Sequence, residues 1–551
     1  MSSPGLEPRK YVVVGGVAGG MSAATRLRRL DETAAISVLE RSGYVSFANC
    51  GLPYHVGGVI EDRASLLLQT PASLGARFGL DVRVHTEAVA IDRAARTVTT
   101  RHTESGVSES IPYDALILAP GARPVRPPIP GIERALSLRD IEDTDAMVAA
   151  VGRAGGTHAV VIGGGFIGLE VAENLLHRGL VVAVIEATDQ VMAPLDPEMV
   201  EPVHVALRDA GVDLRLGRSV VAIGAGDVTL DDGTTVPADV VVAAIGVRPD
   251  TRLAELAGLS IGPRGGILVN DQLLTSDPAI YAVGDAVEKI DALSGEKTLV
   301  PLANTANLQG RRVADIITGQ ARSDRPVLGT AIVGVLGLQI AATGWSEKRL
   351  RAAGRPYRAL HSHPASHAGY YPGAAGIALK LLVDPATDAI LGAQGVGSDG
   401  VDKRIDIIAT AITGGLTASD LADLELAYAP QFGSAKDPVN MLGHMADNLR
   451  TGVSRTIQWH EVADAQQSGT IVVDVRTLAE FARGAIPGAV HIPVDDLRSR
   501  LAEVPAGPLV VTCAVGLRGH VAARILTQQG FPDVRNLDGG YTTWRAGTAS
   551  L

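Results

Sequence analysis

Two cysteines, Cys50 and Cys513, are the only thiols in this sequence. Set so far apart, they form no disulfide framework, so each is read as a separate nucleophile. A thiolate can attack a sulfur–sulfur bond, accept sulfane sulfur, or be oxidised to sulfenate. Cys50 lies in Ser46-Phe-Ala-Asn-Cys-Gly-Leu-Pro-Tyr54, with no second cysteine nearby in which to store electrons as an internal disulfide. It can still attack an external disulfide and hold the mixed disulfide. Cys513 lies in Val510-Val-Thr-Cys513-Ala-Val-Gly-Leu-Arg518-Gly519. That order reads as strand, short loop, helix. Loop amides and a helix N-terminus would then face an anionic sulfur. Arg518 adds a cation. The plain alternative for Cys50 is a buried, inert thiol.

Such thiols need a source of electrons. Gly163-x-Gly165-x-x-Gly168 follows the strand Ala159–Ile162 and opens a helix running to about Arg178, and Glu186 ends the next strand. The first glycine makes the turn, the second admits pyrophosphate and the third lets helix pack on strand. The helix N-terminus offers amides to phosphate. With strand, turn, helix, strand and acid all present, a dinucleotide site is predicted. Phe166, Ile167 and Gly246 are read with it. A carboxylate at Glu186 accepts ribose hydroxyls and repels a 2′-phosphate, and Ala187, Thr188 and Asp189 offer no arginine, so NADH is expected over NADPH. A second copy opens the chain: strand Tyr11–Val14, then Gly15-Gly16-Val17-Ala18-Gly19-Gly20, a helix over Met21–Leu30, and Ala35–Leu39 ending in Glu40 and Arg41. Val17 takes the place of the middle glycine. Tyr113–Gly121, with Ala119 near its end, and Ile280–Ala286, with Gly284-Asp285, are further strands ending in turns.

Residues 10 to about 450 resemble the flavoprotein disulfide reductases with two dinucleotide-binding domains, and the segment around Cys50 resembles the single-cysteine branch that contains coenzyme A disulfide reductase. The resemblance implies FAD on Gly15, Gly16, Val17, Ala18, Gly19, Gly20, Glu40, Arg41, Ala119, Gly121, Gly284 and Asp285, with Asp285 on the ribityl chain. It implies coenzyme A, as substrate or bound ligand, against Ser22, Arg26, Arg29, Ser46, Asn49, Asn307 and Lys436. Arg26 and Arg29 are one helical turn apart, which suits phosphates, although a solvated basic face explains the spacing equally well. The resemblance also implies a homodimer in which a tyrosine of the partner reaches the reactive cysteine. Tyr428 is the best match, and Tyr370 and Tyr371 remain undecided between themselves. A core tyrosine is the plain alternative for Tyr428.

The last hundred residues resemble a rhodanese domain through the Cys513–Arg518 loop, Val473-Asp-Val-Arg476, Glu480-Phe481, Gly484–Pro493 and Leu537-Asp-Gly-Gly-Tyr-x-x-Trp544. A dead rhodanese loop usually lacks the cysteine, so Cys513 is expected to carry sulfur.

These elements require an α/β chain of several domains, and 551 residues allow three or four. The boundaries read as 1–148 and 245–328 for an FAD domain, 149–244 for an NAD(P)H domain, 329–450 for an α+β dimerisation domain and 455–551 for a rhodanese-like domain. Pro124–Gly131 and Thr451–Arg455 read as linkers. Gly334–Ala341, Ile377–Val383, Ile471–Val475, Ala489–Ile492 and Leu509–Thr512 read as strands. Asp402–Thr413, Ala418–Leu426, Leu478–Arg483, Val494–Leu501 and Gly519–Gln529 read as helices. A net charge of −11 argues against nucleic acid and anionic membranes as partners. The apolar stretches are too short for a signal-peptide core or a membrane span, so a cytoplasmic protein is expected. No metal site is predicted. The function expected is an FAD-dependent NADH oxidoreductase acting on CoA disulfide, CoA persulfide or polysulfide. The alternatives are an NADH oxidase or peroxidase cycling a cysteine sulfenate, and a sulfur-relay binding protein without turnover.

Overall fold

The computed structural model describes residues 7–154, 157–321 and 323–549. They fall into two compact units, Met1–Ala187 with Val212–Gly329, and Thr188–Gly211 with Thr330–Leu551.

The first unit is built on two parallel sheets. One runs Ile280–Ala282, Ala115–Leu118, Lys10–Val14, Ala35–Leu39, Asp81–Arg83; the other runs Asp213–Leu216, Val181–Glu186, His158–Ile162, Val240–Ala243. In both, the glycine turn sits at the carboxyl end of a central strand, where open α/β sheets bind ligands. The glycines act through close contact. A Cβ on Gly20 would lie 1.9 Å from the Gly15 carbonyl oxygen, and one on Gly168 would lie 2.0 Å from that of Gly163. Gly15 and Gly163 share a φ of +105°. Val17, at the place of the middle glycine, packs against the apolar cluster of Phe47, Leu52, Leu66 and Ile141.

The second unit holds a five-stranded antiparallel sheet, in the order Ala331–Val335, Leu338–Gly344, Ile390–Gly397, Ile377–Val383, Arg358–Ser362. Helices Val401–Gly414 and Pro438–Arg450 share its apolar core. It also holds a five-stranded parallel sheet, in the order Thr456–Ile457, Val534–Leu537, Leu509–Thr512, Ile471–Asp474, Val490–His491. Alternation along these strands feeds two cores, with Val473 and Val511 on one face and Val472 and Val510 on the other.

Three expected elements differ. Gly334–Ala341 is not one strand but a hairpin, turning at Leu336 (φ +50°) and Gly337 (φ +79°), the left-handed pair that a two-residue hairpin needs. Ala418–Leu426 is helical only as a 3₁₀ turn over Ser419–Asp423. Asn440 Nδ2 donates to the carbonyls of Leu421 and Leu424, which a continuing helix would use itself, and a Cβ on Gly443 would lie 2.1 Å from Ala422 N. Val494–Leu501 forms successive turns, with a 3₁₀ segment at Leu501–Glu503. Its bonds run mainly to the third residue back, as in Leu497 N–H to the Val494 carbonyl.

Candidate active sites

The two nucleotide turns are braced alike. Glu40 Oε2 accepts from Gly16 N at 2.9 Å, and Glu186 Oε2 accepts from Gly164 N at 2.8 Å. Each acid thus orients its own glycine turn, and Gly164 was not singled out in the sequence. Gly165 has no neighbour where a Cβ would stand, leaving room for a phosphate. Arg41 pairs with Asp250 at 3.4 Å.

The first cradle fits a flavin. Asp285, on the turn Gly284–Ala286, has a buried Oδ1 without a hydrogen-bond partner among the described residues, an acceptor that fits a ligand hydroxyl. Burial pushes its pKa up, against the attraction of Lys289 and Arg139. Arg139 donates to the Pro120 carbonyl at 3.2 Å, between Ala119 and Gly121. Burial and then Arg41 lower its pKa. Lys289 is buried, and burial lowers it to about 8 against Asp285 and Asp324. Arg139 and Lys289 carried no sequence signal, because each is a lone cation outside any motif.

Cys50 sits in the 3₁₀ turn Asn49–Gly51, just before the helix Leu52–Val56. The turn hangs beside the flavin cradle: Ser46 N donates to the Gly16 carbonyl at 2.8 Å, and Asn49 Nδ2 donates to the Arg139 carbonyl at 3.3 Å. Ser46 takes a left-handed φ of +48° to do so. The Cys50 thiol is exposed, yet surrounding atoms and then Glu170 push its pKa up. Tyr54 Oη donates to Glu170 Oε1 at 3.1 Å. Burial and Glu170 push Tyr54 up to about 12, while burial raises Glu170 against that hydrogen bond. Glu170 rides on the helix Phe166–His177 that the second glycine turn opens. A carboxyl group whose pKa burial raises therefore stands beside the Cys50 thiol, on the helix that the second glycine turn opens. Its place one turn into that helix was the available clue.

Of the expected coenzyme A contacts, Ser22 Oγ donates to Asn307 Oδ1 at 2.6 Å where helices Ala18–Leu30 and Ala303–Ile317 cross. Arg26 is bound to Asp315 at 2.6 Å, and Arg29 is exposed. In the second unit Lys436 is exposed, and Tyr370 Oη lies 2.9 Å from Tyr428 Oη. Both rings of this pair face solvent. Tyr371 instead meets His367 edge-on at 5.7 Å, so Tyr370 is the tyrosine that partners Tyr428.

Cys513 is fully buried at the end of strand Leu509–Thr512, and its Sγ accepts from Gly516 N at 3.1 Å. The expected amide support is thus present. Arg518 is not a free cation: it makes two bonds to Glu480, at 2.6 and 2.8 Å. That pairing holds Glu480 well below the usual carboxylate range and raises Arg518, which also feels Cys513. The motifs converge here. Arg476 binds Asp474 at 2.6 Å and the Gly484 carbonyl at 2.7 Å, and lies 4.2 Å from the Tyr541 ring centroid. Asp196, Glu198 and Glu347 cluster closely enough for a metal, but Lys380 Nζ bonds all three. Among the described residues no helix is long and apolar enough to cross a membrane.

Residues 9–310 match the family model for pyridine nucleotide-disulphide oxidoreductases, residues 330–438 that for their dimerisation domain, and residues 458–547 that for rhodanese-like domains. Coenzyme A disulfide reductase of Staphylococcus haemolyticus (strain JCSC1435) is 33% identical over 446 residues, covering 80% of this chain and 100% of that protein. Among solved structures, reduced Bacillus anthracis CoADR-RHD superposes with a TM-score of 0.97 at 46% identity, covering 98% of each chain. The NAD-dependent persulfide reductase from A. fulgidus superposes with a TM-score of 0.91 at 40% identity, covering 97% of this chain and 100% of that one.

Proposed function

The chain belongs to the pyridine nucleotide-disulphide oxidoreductases, and from that premise we propose that it is an FAD-dependent NADH reductase of CoA disulfide, CoA persulfide or polysulfide, coupled to rhodanese sulfur transfer. The observation that carries this reading is the pairing of two distinct sulfur centres in one chain: Cys50 beside a nucleotide-binding helix and Cys513 under a loop amide. The FAD domain spans residues 1–148 and 245–328, the NADH domain 149–244, the dimerisation domain 329–450 and the rhodanese domain 455–551, and Arg139, Glu170 and Tyr54 belong to the site with the sequence motifs.

Bound flavin would supply the two-electron link between nucleotide and thiol. Glu40 and Asp285 would hold it, and Glu186 would hold the NADH ribose. Cys50 Sγ attacks one sulfur of CoA disulfide; an Sγ–S bond forms, the S–S bond breaks, and one CoA leaves as thiolate. The second CoA is released when two electrons from NADH reduce the mixed disulfide. Overall, NADH, a proton and CoA disulfide give NAD⁺ and two CoA thiols. Glu170 and Tyr54 hold a proton beside Cys50. Ser22, Arg26, Arg29, Ser46, Asn49, Asn307 and Lys436 contact coenzyme A. The dimerisation domain makes the assembly a homodimer, and Tyr428 with Tyr370 of one subunit assists the leaving thiolate at the other subunit's Cys50. A working pair of free thiols supports a reading of the enzyme as cytoplasmic, where thiols are kept reduced.

The test is anaerobic NADH oxidation with CoA disulfide, CoA persulfide and polysulfide, set against oxygen and peroxide. Turnover with the sulfur substrates is expected. Turnover with oxygen or peroxide alone would make the chain an oxidase or peroxidase, and none with any acceptor would make it a binding protein.

A further inference from the structure

The strand Arg358–Ser362 is the last of the antiparallel sheet, so one side of its backbone has no strand partner. Rhodanese side chains satisfy it. His361 N donates to Asp538 Oδ2 at 3.0 Å, and Gln458 Nε2 donates to the Ala359 carbonyl at 3.1 Å and towards Asp538 at 3.3 Å. The His361 ring, 1% exposed, reaches Asp538 Oδ2 through Nδ1 at 2.6 Å and Glu198 Oε1 through Nε2 at 2.9 Å. Ionised carboxylates only accept, so both ring nitrogens donate and the ring is an imidazolium. His363 adds a second peg, with Nε2 at 2.7 Å from Thr543 Oγ1.

Asp538 begins the turn on which the sulfur loop rests. Gly539 and Gly540 are both left-handed, at φ +66° and +63°. A Cβ on Gly539 would lie 2.7 Å from His361 Cβ; one on Gly540 would lie 2.6 Å from the Cys513 carbonyl oxygen and 2.7 Å from Gly516 N. Tyr541 N donates to the Cys513 carbonyl at 2.8 Å, and Thr542 N to that of Ala514 at 2.9 Å. A single tight turn therefore has His361 against one side and the loop bearing the Gly516 amide against the other.

We propose that His361, a residue of the reductase's dimerisation sheet, is a positioning residue for sulfur transfer at Cys513, acting through Asp538 and the Gly539–Gly540 turn. This rests on the sulfur-transfer reading above. In that reaction the Cys513 thiolate attacks the terminal sulfane sulfur of a polysulfide. An Sγ–S bond forms, an S–S bond breaks, and the shortened polysulfide leaves with the electron pair.

The ring's two bonds can be separated. His361→Asn keeps a donor near the Nδ1 position, towards Asp538; His361→Gln keeps one near Nε2, towards Glu198. Persulfide formation on Cys513 is followed by mass in the full-length holoenzyme with inorganic polysulfide, and NADH oxidation with CoA disulfide reports on the remainder. The Gln variant should load sulfur about tenfold slower or worse at saturation, with the half-saturating concentration unchanged. The Asn variant should stay within about threefold of wild type. Both should retain flavin and CoA-disulfide turnover. Equal rates for Gln and Asn would overturn the proposal. If the Gln variant does not fold, the isosteric Asp538→Asn decides: slower loading supports the proposal and a wild-type rate refutes it. A wild-type protein that never forms the persulfide would sink the sulfur-transfer reading itself.

Discussion

Residue charge decides the two sulfur centres, and it does so through neighbours. After the crowding of surrounding atoms, Glu170 contributes to the raised pKa of the exposed Cys50 thiol, so Glu170→Gln should lower that pKa. The rate of iodoacetamide alkylation at Cys50 against pH measures it, and an unmoved midpoint would separate the two groups. At Cys513 the Glu480 carboxylate cancels the charge of Arg518. Thiosulfate, a dianion, then meets a loop with little net positive charge. Glu480→Gln should accelerate loading of Cys513 by thiosulfate roughly tenfold, read as a mass shift that a thiol reductant reverses. An unchanged rate would mean that Arg518 does not face the donor.

Elements hold the sites by close approach and by buried charge. Helices Ala18–Leu30 and Ala303–Ile317 cross where a Cβ on Gly310 would lie 2.1 Å from the Gly19 carbonyl oxygen. Gly310→Ala should therefore push the helices apart, cost about 1–3 kcal/mol and lower the flavin content. A melt and a flavin-to-protein ratio equal to wild type would refute it. In the second unit, burial alone would lower the His361 pKa, but the hydrogen bond and charge of Asp538, with Glu198, hold it at about 9 against Lys380. Burial and the His361 charge hold the neighbouring His363 at about 4, so it stays neutral. Because the folded pKa of His361 lies above its ordinary 6.5, its contribution is complete below about pH 6.5 and gone above about 9. The shift corresponds to on the order of 3 kcal/mol. Unfolding by urea should become easier across that window, and His361→Asn should flatten the trend.

Across the whole molecule, two sulfur centres on separate domains should be separable by substrate. Cys513→Ala should leave CoA-disulfide-driven NADH oxidation unchanged and slow oxidation driven by polysulfide. Equal losses would make Cys513 a structural residue. A heterodimer of Cys50→Ser with Tyr428→Phe subunits tests whether the active site is shared. One of its two sites then combines both lesions and the other neither, so about half the activity is expected, against far less if each subunit works alone.

Composition and motif order alone determined most of the plan. The βαβ grammar around Gly15 and Gly163, the SFANCGLPY segment and the CAVGLR loop are local patterns, and local backbone geometry is what they encode. Two of the elements that differ from the sequence expectation have separate causes, one a local turn and one a tertiary contact. Leu336-Gly337 turns a strand into a hairpin, and Asn440 and Gly443 curtail the helix after Ala418. Only the tertiary structure decided which charges meet. Arg26 is held by Asp315, Arg518 by Glu480 and His361 by Asp538, and the sequence separations in these pairs are 289, 38 and 177 residues. A single chain read linearly carries no record of such pairs, because an ion pair depends on which surfaces the fold brings together, whereas a glycine turn depends only on its own few residues. Likewise the pairing of Tyr370 rather than Tyr371 with Tyr428 turned on side-chain direction, with Tyr371 set against His367.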